Sequence, residues 1–514
     1  MKIPIYIPCF NNGWLVENTI DQLDRFGQEF IVIDNASDSS RTRNVLARLE
    51  KRRRCRVVRM RRNHGHRVLW RKDIYPSVPE YFAVTDPDLG YPRSLPEDFL
   101  EVLAALTDEL QFCKAGLALE IPGEEETYPG IYRDGKAIRE WETQFWQSKI
   151  DHPRLEIYEA PIDTTFAVYN KKYENWRCCR AAGPFTARHL PWYIPHNCGV
   201  PAIDVLETYG TAHCSTFATV IMEDYRERFP HLRLVSKNQC QMVVEFDGSD
   251  AREGFWKNHY SRWERETFEV FDRYSREDQT AVDVGSWIGP TALYLGQKCR
   301  RVLSVEADEH AAAMLRRNIE HSGLGGRVEV IEKALYADNG GAHFGSNFFR
   351  PKDGLDASAS QIVLGSERQD ARNRLVPSIS WGEFAALYLK DEPVCLVQVD
   401  IEGGEEFILG DLLRWAHARR VPAYVSFHYD WWRSRDLDRF REVFKLFGMP
   451  HLKERIEANP FISIVFEREK SPLLRWLEKS EPDGRQIHFW RKVERSLRKR
   501  RKRVLHKLQE KANR

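Results

Sequence analysis

At 514 residues the chain is too long for a single core, and its length fits two to four domains. Apolar residues make up 42% and charged residues 30%, the balance of a soluble globular protein. No stretch approaches 18 uninterrupted apolar residues, so no membrane span is expected, and ten cysteines without a CxxC pair argue for reduced thiols in a cytoplasmic setting rather than a disulfide framework.

The net charge of +2 is uneven: residues 491–514 hold twelve Lys/Arg and two Glu, a local +10 that leaves −8 on the preceding 490 residues. The opening "MKIPIYIPCFNNGW", broken by two prolines, reads as a first strand rather than a signal peptide. An amphipathic helix follows in "FNNGWLVENTIDQL", then a second apolar strand, "FIVIDNASDS", that ends in Asp34. "RVVRM" and "YFAVTDPD" are a third and a fourth. Strands alternating with helices predict an α/β fold built on a parallel sheet, whose ligands sit where the strands end.

"YFAVTDPDLG" raises a physical question, because a buried strand ends there in two carboxylates, Asp86 and Asp88. Unpaired, they would repel each other and resist desolvation. One reading is a turn or helix cap, since Asp and Pro favour turns. The other is a divalent cation bridging a nucleotide diphosphate. The basic run "KRRRCRVVRMRRNHGHR" straddles a strand, so a solvated sheet edge is its default reading. Arginines there that do not face solvent could serve a diphosphate, and no nucleic-acid motif appears in its required context.

The order "IPIYIPCFNN", "IVIDNASDSS", "NHGH", "VTDPDLG" resembles family 2-like glycosyltransferases of the GT-A fold over residues 1–200. The resemblance implies that Asp34 contacts the base or ribose of a nucleotide-sugar, and that Asp86 and Asp88 hold Mn²⁺ or Mg²⁺ on its diphosphate. It also implies an inverting displacement with a carboxylate base late in the domain. Asp163, just before an apolar strand, is the first candidate and Glu142 the second, with Trp141, Phe145 and Trp146 able to stack on sugar rings. For Glu142 the plain alternative is a helix-surface charge. His189 in "RHLPWY" is a candidate third metal ligand, against the common case of a structural histidine.

Residues 201–245 lack clear periodicity and read as a connector with a helix. The pattern restarts at "TAVDVGSWIGPTALYLG", where a strand ends in Asp283 and Gly285 and Gly289 flank a tight turn. Glycines there let backbone approach a ligand closely. The next strand, "RVLSVEAD", ends in Glu306, 23 residues after Asp283, a spacing suited to ribose hydroxyls. A dinucleotide turn wants G-x-G-x-x-G to seat a pyrophosphate, and here Trp287 occupies the turn. The D-x-G-x-x-x-G spacing suits S-adenosylmethionine instead.

"DVGSWIGPTALY" and "CLVQVDIEGGEEFIL" resemble FkbM-type O-methyltransferases over residues 246–470. By that resemblance Asp283, Gly285 and Gly289 hold the methionine part of S-adenosylmethionine and Glu306 its ribose, while Asp400 and Glu402 line the transfer site. A sugar hydroxyl needs a base, and Asp400, Glu402 and His428 in "YVSFHYDWW" are the candidates. For Glu402 the alternative is a helix N-terminal charge, and for His428 a packed structural histidine. In the tail, residues 471–514, Trp490, Val493, Leu497, Val504 and Leu508 fall at helical spacings among basic residues. A basic amphipathic helix of this kind can lie on an anionic membrane surface, and a solvated tail is the alternative.

These readings combine into a bifunctional enzyme of cell-surface polysaccharide biosynthesis, cytoplasmic and peripheral at the inner membrane face. It would use a nucleotide-sugar donor and a glycan or lipid-linked glycan acceptor. A glycosyltransferase with an inactive scaffolding second half, or a non-catalytic glycan-binding assembly protein, would also fit.

Overall fold

The computed structural model describes residues 2–468, except 124–125, 129–132, 164, 211–215, 247, 249, 346–360 and 363–373. The basic tail lies outside the described residues. Among the described residues no helix is long and apolar enough to cross a membrane.

Nine strands form the N-terminal sheet, in spatial order Arg56–Arg59, Phe30–Asp34, Ile5–Cys9, Tyr81–Val84, Ala167–Asn170, Lys114–Leu117, Cys178–Ala181, Ile157–Glu159 and Lys149–Ile150. The first four are parallel. Strand Ala167–Asn170 then inserts antiparallel between Tyr81–Val84 and Lys114–Leu117, so the sheet is mixed where strand–helix alternation predicted a parallel one. The two-residue side-chain period sorts the strands between two cores. Ile5, Ile7, Val32 and Ala83 face one, and Tyr6, Ile31, Ile33 and Phe82 face the other. The basic run lies at the sheet's edge strand, where Arg59 pairs with Glu50 and Arg54 with Asp21 and Asp24.

Residues 201–245 are more than a connector with a helix. They form helices Ala202–Gly210 and Thr216–Arg228 and an antiparallel hairpin, Leu232–Lys237 with Cys240–Glu245. Ile203, Val205, Ile221 and Val243 pack into the N-terminal core, whereas Cys240, Met242 and Val244 pack into the C-terminal one. One strand thus serves both halves with opposite faces. Arg41 adds a polar tie, donating to Asp204 at 2.6 Å and to the Ser322 carbonyl at 3.1 Å.

The C-terminal sheet has six strands, in spatial order Val328–Ile331, Arg301–Val305, Thr280–Val284, Val394–Val399, Ala423–His428 and Phe461–Phe466. All pair in parallel except the last. The strand order reverses between Thr280–Val284 and Val394–Val399. Ligands of doubly wound sheets bind outside the strand ends at such a switch point.

Candidate active sites

In the N-terminal sheet the switch point lies between Ile5–Cys9 and Tyr81–Val84, and Asp86 and Asp88 follow the latter strand directly. A two-residue ribbon then pairs Leu89 with His189 and Gly90 with Arg188. This brings His189 Nε2 to 3.6 Å from Asp88 Oδ2. Asp88 Oδ1 and His189 Nδ1 are both buried without a hydrogen-bond partner. Burial pushes the Asp88 carboxyl up to about 6. Burial likewise pushes His189 down to about 4, against the pull of Asp86. A neutral imidazole beside a carboxylate with orphaned lone pairs is a donor set that fits Mn²⁺ or Mg²⁺.

Asp34 ends its strand buried and accepts from the Ser37 amide at 2.9 Å. Next to it, the Asn35 side chain binds Asn63, the His64 amide and the Gly65 carbonyl, fastening the "NHGH" loop over the strand ends.

Asp163 is exposed in the loop before Ala167–Asn170. Burial holds the Tyr169 hydroxyl well above its ordinary value, with Asp86, the Cys113 and Cys178 thiols and Asp163 adding to the effect. Lys114 donates to the Ile162 carbonyl and to the Tyr169 hydroxyl, fixing the loop that carries Asp163.

Glu142 is not a surface charge, and burial pushes it up to about 7 against the pull of Arg180. It is 1% exposed, and its Oε1 accepts from Arg180 at 2.6 Å. Arg180 also donates to the Pro161 carbonyl at 2.7 and 3.0 Å. Glu142 therefore secures, through Arg180, the loop that bears Asp163. Of the aromatic residues near it, Phe145 lies under the Arg180 guanidinium and Trp146 packs on Tyr158.

In the C-terminal half a cleft opens at the switch point. Gly285, Trp287 and Glu306 form one wall, and Asp400, Glu402 and Gly404 the other. Gly285 has φ +85, and a Cβ there would stand 1.8 Å from the Asp400 carbonyl oxygen. Only glycine lets the two strand ends approach so closely. Glu306 accepts from the Trp287 amide at 2.7 Å and the Asp308 amide at 2.8 Å, and burial pushes it up to about 7. Trp287 adopts φ +46 and packs edge-on against Phe255 at 5.0 Å, leaving the cleft open.

Two residues expected to hold the methionine moiety also serve the fold, and Asp283 keeps a buried Oδ1 without a hydrogen-bond partner. Asp283 is fully buried within the turn, where its Oδ2 accepts from the Thr291 hydroxyl at 2.8 Å, and it is absent from the cleft wall. Gly289 has φ +108, the left-handed region that favours glycine, and lies against the Leu315 side chain.

Asp400, Glu402 and His428 come together at the cleft, each offering one ligand atom, all within 4.8 Å of one another. Burial raises Asp400, and it pushes Glu402 up to about 8. For His428, burial works downward but the Glu405 hydrogen bond and the surrounding carboxylates prevail, lifting it to about 9. Two neighbours escaped the sequence reading. Glu405 is fully buried and binds His428 Nδ1 at 2.8 Å. Glu264 sits in a left-handed conformation at φ +41, and burial followed by repulsion from Asp400 raises it to about 7. A left-handed non-glycine residue beside a charged cluster is a common mark of function, but no short motif announces one.

The fold is mixed α/β, with a GT-A-like N-terminal sheet and a second, Rossmann-like sheet. Residues 5–154 match the family model "Glycosyl transferase family 2", so the N-terminal region carries a domain of that family; the match ends before Asp163 and His189. No curated protein matches the chain. Among solved structures it is similar to the mannosyltransferase PcManGT from Pyrobaculum calidifontis in complex with GDP-Man and Mn²⁺. That likeness has 12% identity over 44% of this chain and 69% of the other, with a TM-score of 0.26. TarS 1-349 of S. aureus is 12% identical over 62% of this chain and 85% of its own, with a TM-score of 0.23. M. jannaschii TYW2 in complex with AdoMet is 20% identical over 20% of this chain and 42% of its own, with a TM-score of 0.15.

Proposed function

We propose that the chain is a bifunctional transferase of cell-surface polysaccharide biosynthesis. Its N-terminal half would move a sugar from a nucleotide-sugar to a glycan or lipid-linked glycan. Its C-terminal half would O-methylate a sugar hydroxyl. The observation that carries the reading is the meeting of Asp88 and His189, with orphaned buried donor atoms, beside Asp86 in a family 2 glycosyltransferase domain.

In the N-terminal half, Asp34 and the loop fastened by Asn35 would receive the nucleoside, and Asp86, Asp88 and His189 would hold a divalent cation. Such an ion neutralises a departing diphosphate. Asp163 takes the proton of the acceptor hydroxyl as its oxygen attacks the anomeric carbon from the face opposite the leaving group, inverting that centre. Lys114 and the Glu142–Arg180 pair keep Asp163 in place.

In the C-terminal cleft, Glu306 would bind ribose hydroxyls, and Gly285 leaves room for the ligand along the strand ends. S-adenosylmethionine supplies an electrophilic methyl group when bound. Asp400, Glu402 and His428 would orient the acceptor hydroxyl, and a carboxylate of the cluster would take its proton. The Trp431 ring, stacked on His428 at 5.2 Å, and Phe461, 5.5 Å beyond it and half exposed, offer the apolar face a sugar ring prefers.

The full chain, screened with nucleotide-sugars and Mn²⁺, should release nucleotide from one of them and lose that turnover in Asp88→Asn. Labelled S-adenosylmethionine should pass its methyl group to the glycan product. If no nucleotide-sugar binds and no S-adenosylmethionine binds, the reading is wrong for both halves.

A further inference from the structure

We propose that Asp400, Glu402 and His428 hold a divalent cation, Mg²⁺ or Mn²⁺, at the C-terminal cleft, giving the chain a metal centre in each half. The inference rests on the methyl-transfer reading and deepens it: the ion would bind the acceptor through a hydroxyl oxygen, or through two neighbouring hydroxyls of one sugar ring.

The geometry is that of ligands waiting for an ion rather than of groups bonded to each other. His428 Nε2 lies 3.6 Å from Asp400 Oδ1 and 3.4 Å from Glu402 Oε2. Ligand atoms about 2.1 Å from a shared ion stand roughly 3.0 to 3.4 Å apart at octahedral to tetrahedral angles. Those same two oxygens, Asp400 Oδ1 and Glu402 Oε2, are shielded from solvent and have no hydrogen-bond partner. Leaving buried carboxylate oxygens unpaired is costly, and a cation between them removes that cost.

The histidine is prepared for the task. Its Nδ1 is bound by Glu405 Oε1 at 2.8 Å, and Glu405 is itself fixed by Trp432 Nε1 at 2.9 Å and the Gly403 amide at 3.2 Å. A carboxylate that takes the Nδ1 proton leaves the Nε2 lone pair free for a metal, the usual outer support of a ligating histidine. Backbone geometry turns Glu402 toward the same point: Glu402 has φ +52 and Gly403 φ +92, and a Cβ on Gly403 would come within 3.0 Å of Trp431 Cβ.

The rival account is an imidazolium that alone balances the acids. It would place an Nε2–H within hydrogen-bond reach of one oxygen, about 2.7 to 2.9 Å for a charged pair, and both separations here are longer. It also sets one imidazolium against four acidic groups, since Glu264 interacts with Asp400, Glu402 and His428 as well, with Lys237 the other cation that reaches Glu264. Lys237, the base acting on Glu264, donates to the carbonyls of Tyr260 and Trp263.

The test is Mn²⁺ binding to the chelator-treated full chain by equilibrium dialysis, with S-adenosylmethionine binding followed separately by calorimetry. Two ions per chain are expected. Glu402→Gln and His428→Ala should each leave one, with at least tenfold weaker binding at the altered site. Asp86→Asn with Asp88→Asn should also leave one, and that remaining ion should be lost when Glu402→Gln is added. A wild-type chain that binds one ion, lost in the Asp86/Asp88 variant and untouched by Glu402→Gln and His428→Ala, overturns the proposal. S-adenosylmethionine binding without a second ion sinks this inference and leaves the methylation reading standing. A second ion without S-adenosylmethionine binding does the reverse.

Discussion

In the N-terminal half, Asp88 meets a histidine that a two-residue ribbon delivers from about 100 residues further on. The remaining acid, Asp163, arrives on an exposed loop held by Lys114 and Arg180. In the C-terminal half the cleft exists because two strand ends nearly touch, with Gly285 against the Asp400 carbonyl. The first site is assembled from loops set on a frame, the second from the frame itself. Side-chain changes in the first should therefore remove chemistry and spare structure, while a backbone change in the second should remove the cleft.

The largest effect is expected from Gly285→Arg. A side chain at a position 1.8 Å from a carbonyl oxygen, on backbone at φ +85, forces the strand ends apart or fills the cleft. S-adenosylmethionine binding by calorimetry should vanish, and sugar transfer should stay within about twofold, because the change lies in the other sheet. Loss of both activities would break the comparison by showing that the halves do not work independently.

Next in size is Asp163→Asn. Replacing a general base costs about 10²- to 10⁴-fold in rate, and an exposed loop residue carries little of the fold. Transfer should fall by that factor while nucleotide-sugar affinity holds. Unchanged turnover would take the base role away from Asp163.

Glu142→Ala sharpens the contrast from inside the first half. It leaves the Arg180 guanidinium, 6% exposed, without its carboxylate, a kind of change that costs about 3–5 kcal/mol. Denaturant unfolding should show that loss, with transfer reduced through a displaced Asp163 loop. A stable variant with full affinity for donor but no turnover would instead restore Glu142 as a direct participant.

Much of the frame could be read from the residues. Apolar runs ending in acids marked Phe30–Asp34, Tyr81–Val84 and Thr280–Val284, because strands buried on both faces are uniformly apolar. The hairpin at 232–245 escaped for a physical reason: Val243 and its neighbours Met242 and Val244 face different cores, which erases the apolar–polar alternation. Asn238, at φ +53 in the turn, was the signal that could have found it. The surface-charge alternative for Glu142 failed because its partner Arg180 is distant in sequence, and a helix residue pairing with a strand residue leaves no local pattern. Asp283 and Gly289 stand out in the sequence, and their contacts with Thr291 and Leu315 emerge only from packing.

The smallest effect concerns the buried acid of the second half and runs with pH. Asp283 is fully buried, and burial pushes it from an ordinary value of 3.8 up to about 7. Between those values the folded chain keeps a proton that the unfolded chain has released. Stability attributable to Asp283 must therefore fall as pH rises from about 4 to about 7, then level off, with a slope of about 1 kcal/mol per pH unit. Denaturant midpoints of the ligand-free chain between pH 5 and 8 should show the decline, to which Glu306, also raised to about 7, adds its share. Asp283→Asn keeps an acceptor for the Thr291 hydroxyl and cannot ionise, so the difference between the two chains isolates one residue. The variant should gain on the wild type as pH rises through this window, and parallel curves would mean that the unfolded and folded chains hold the Asp283 proton alike.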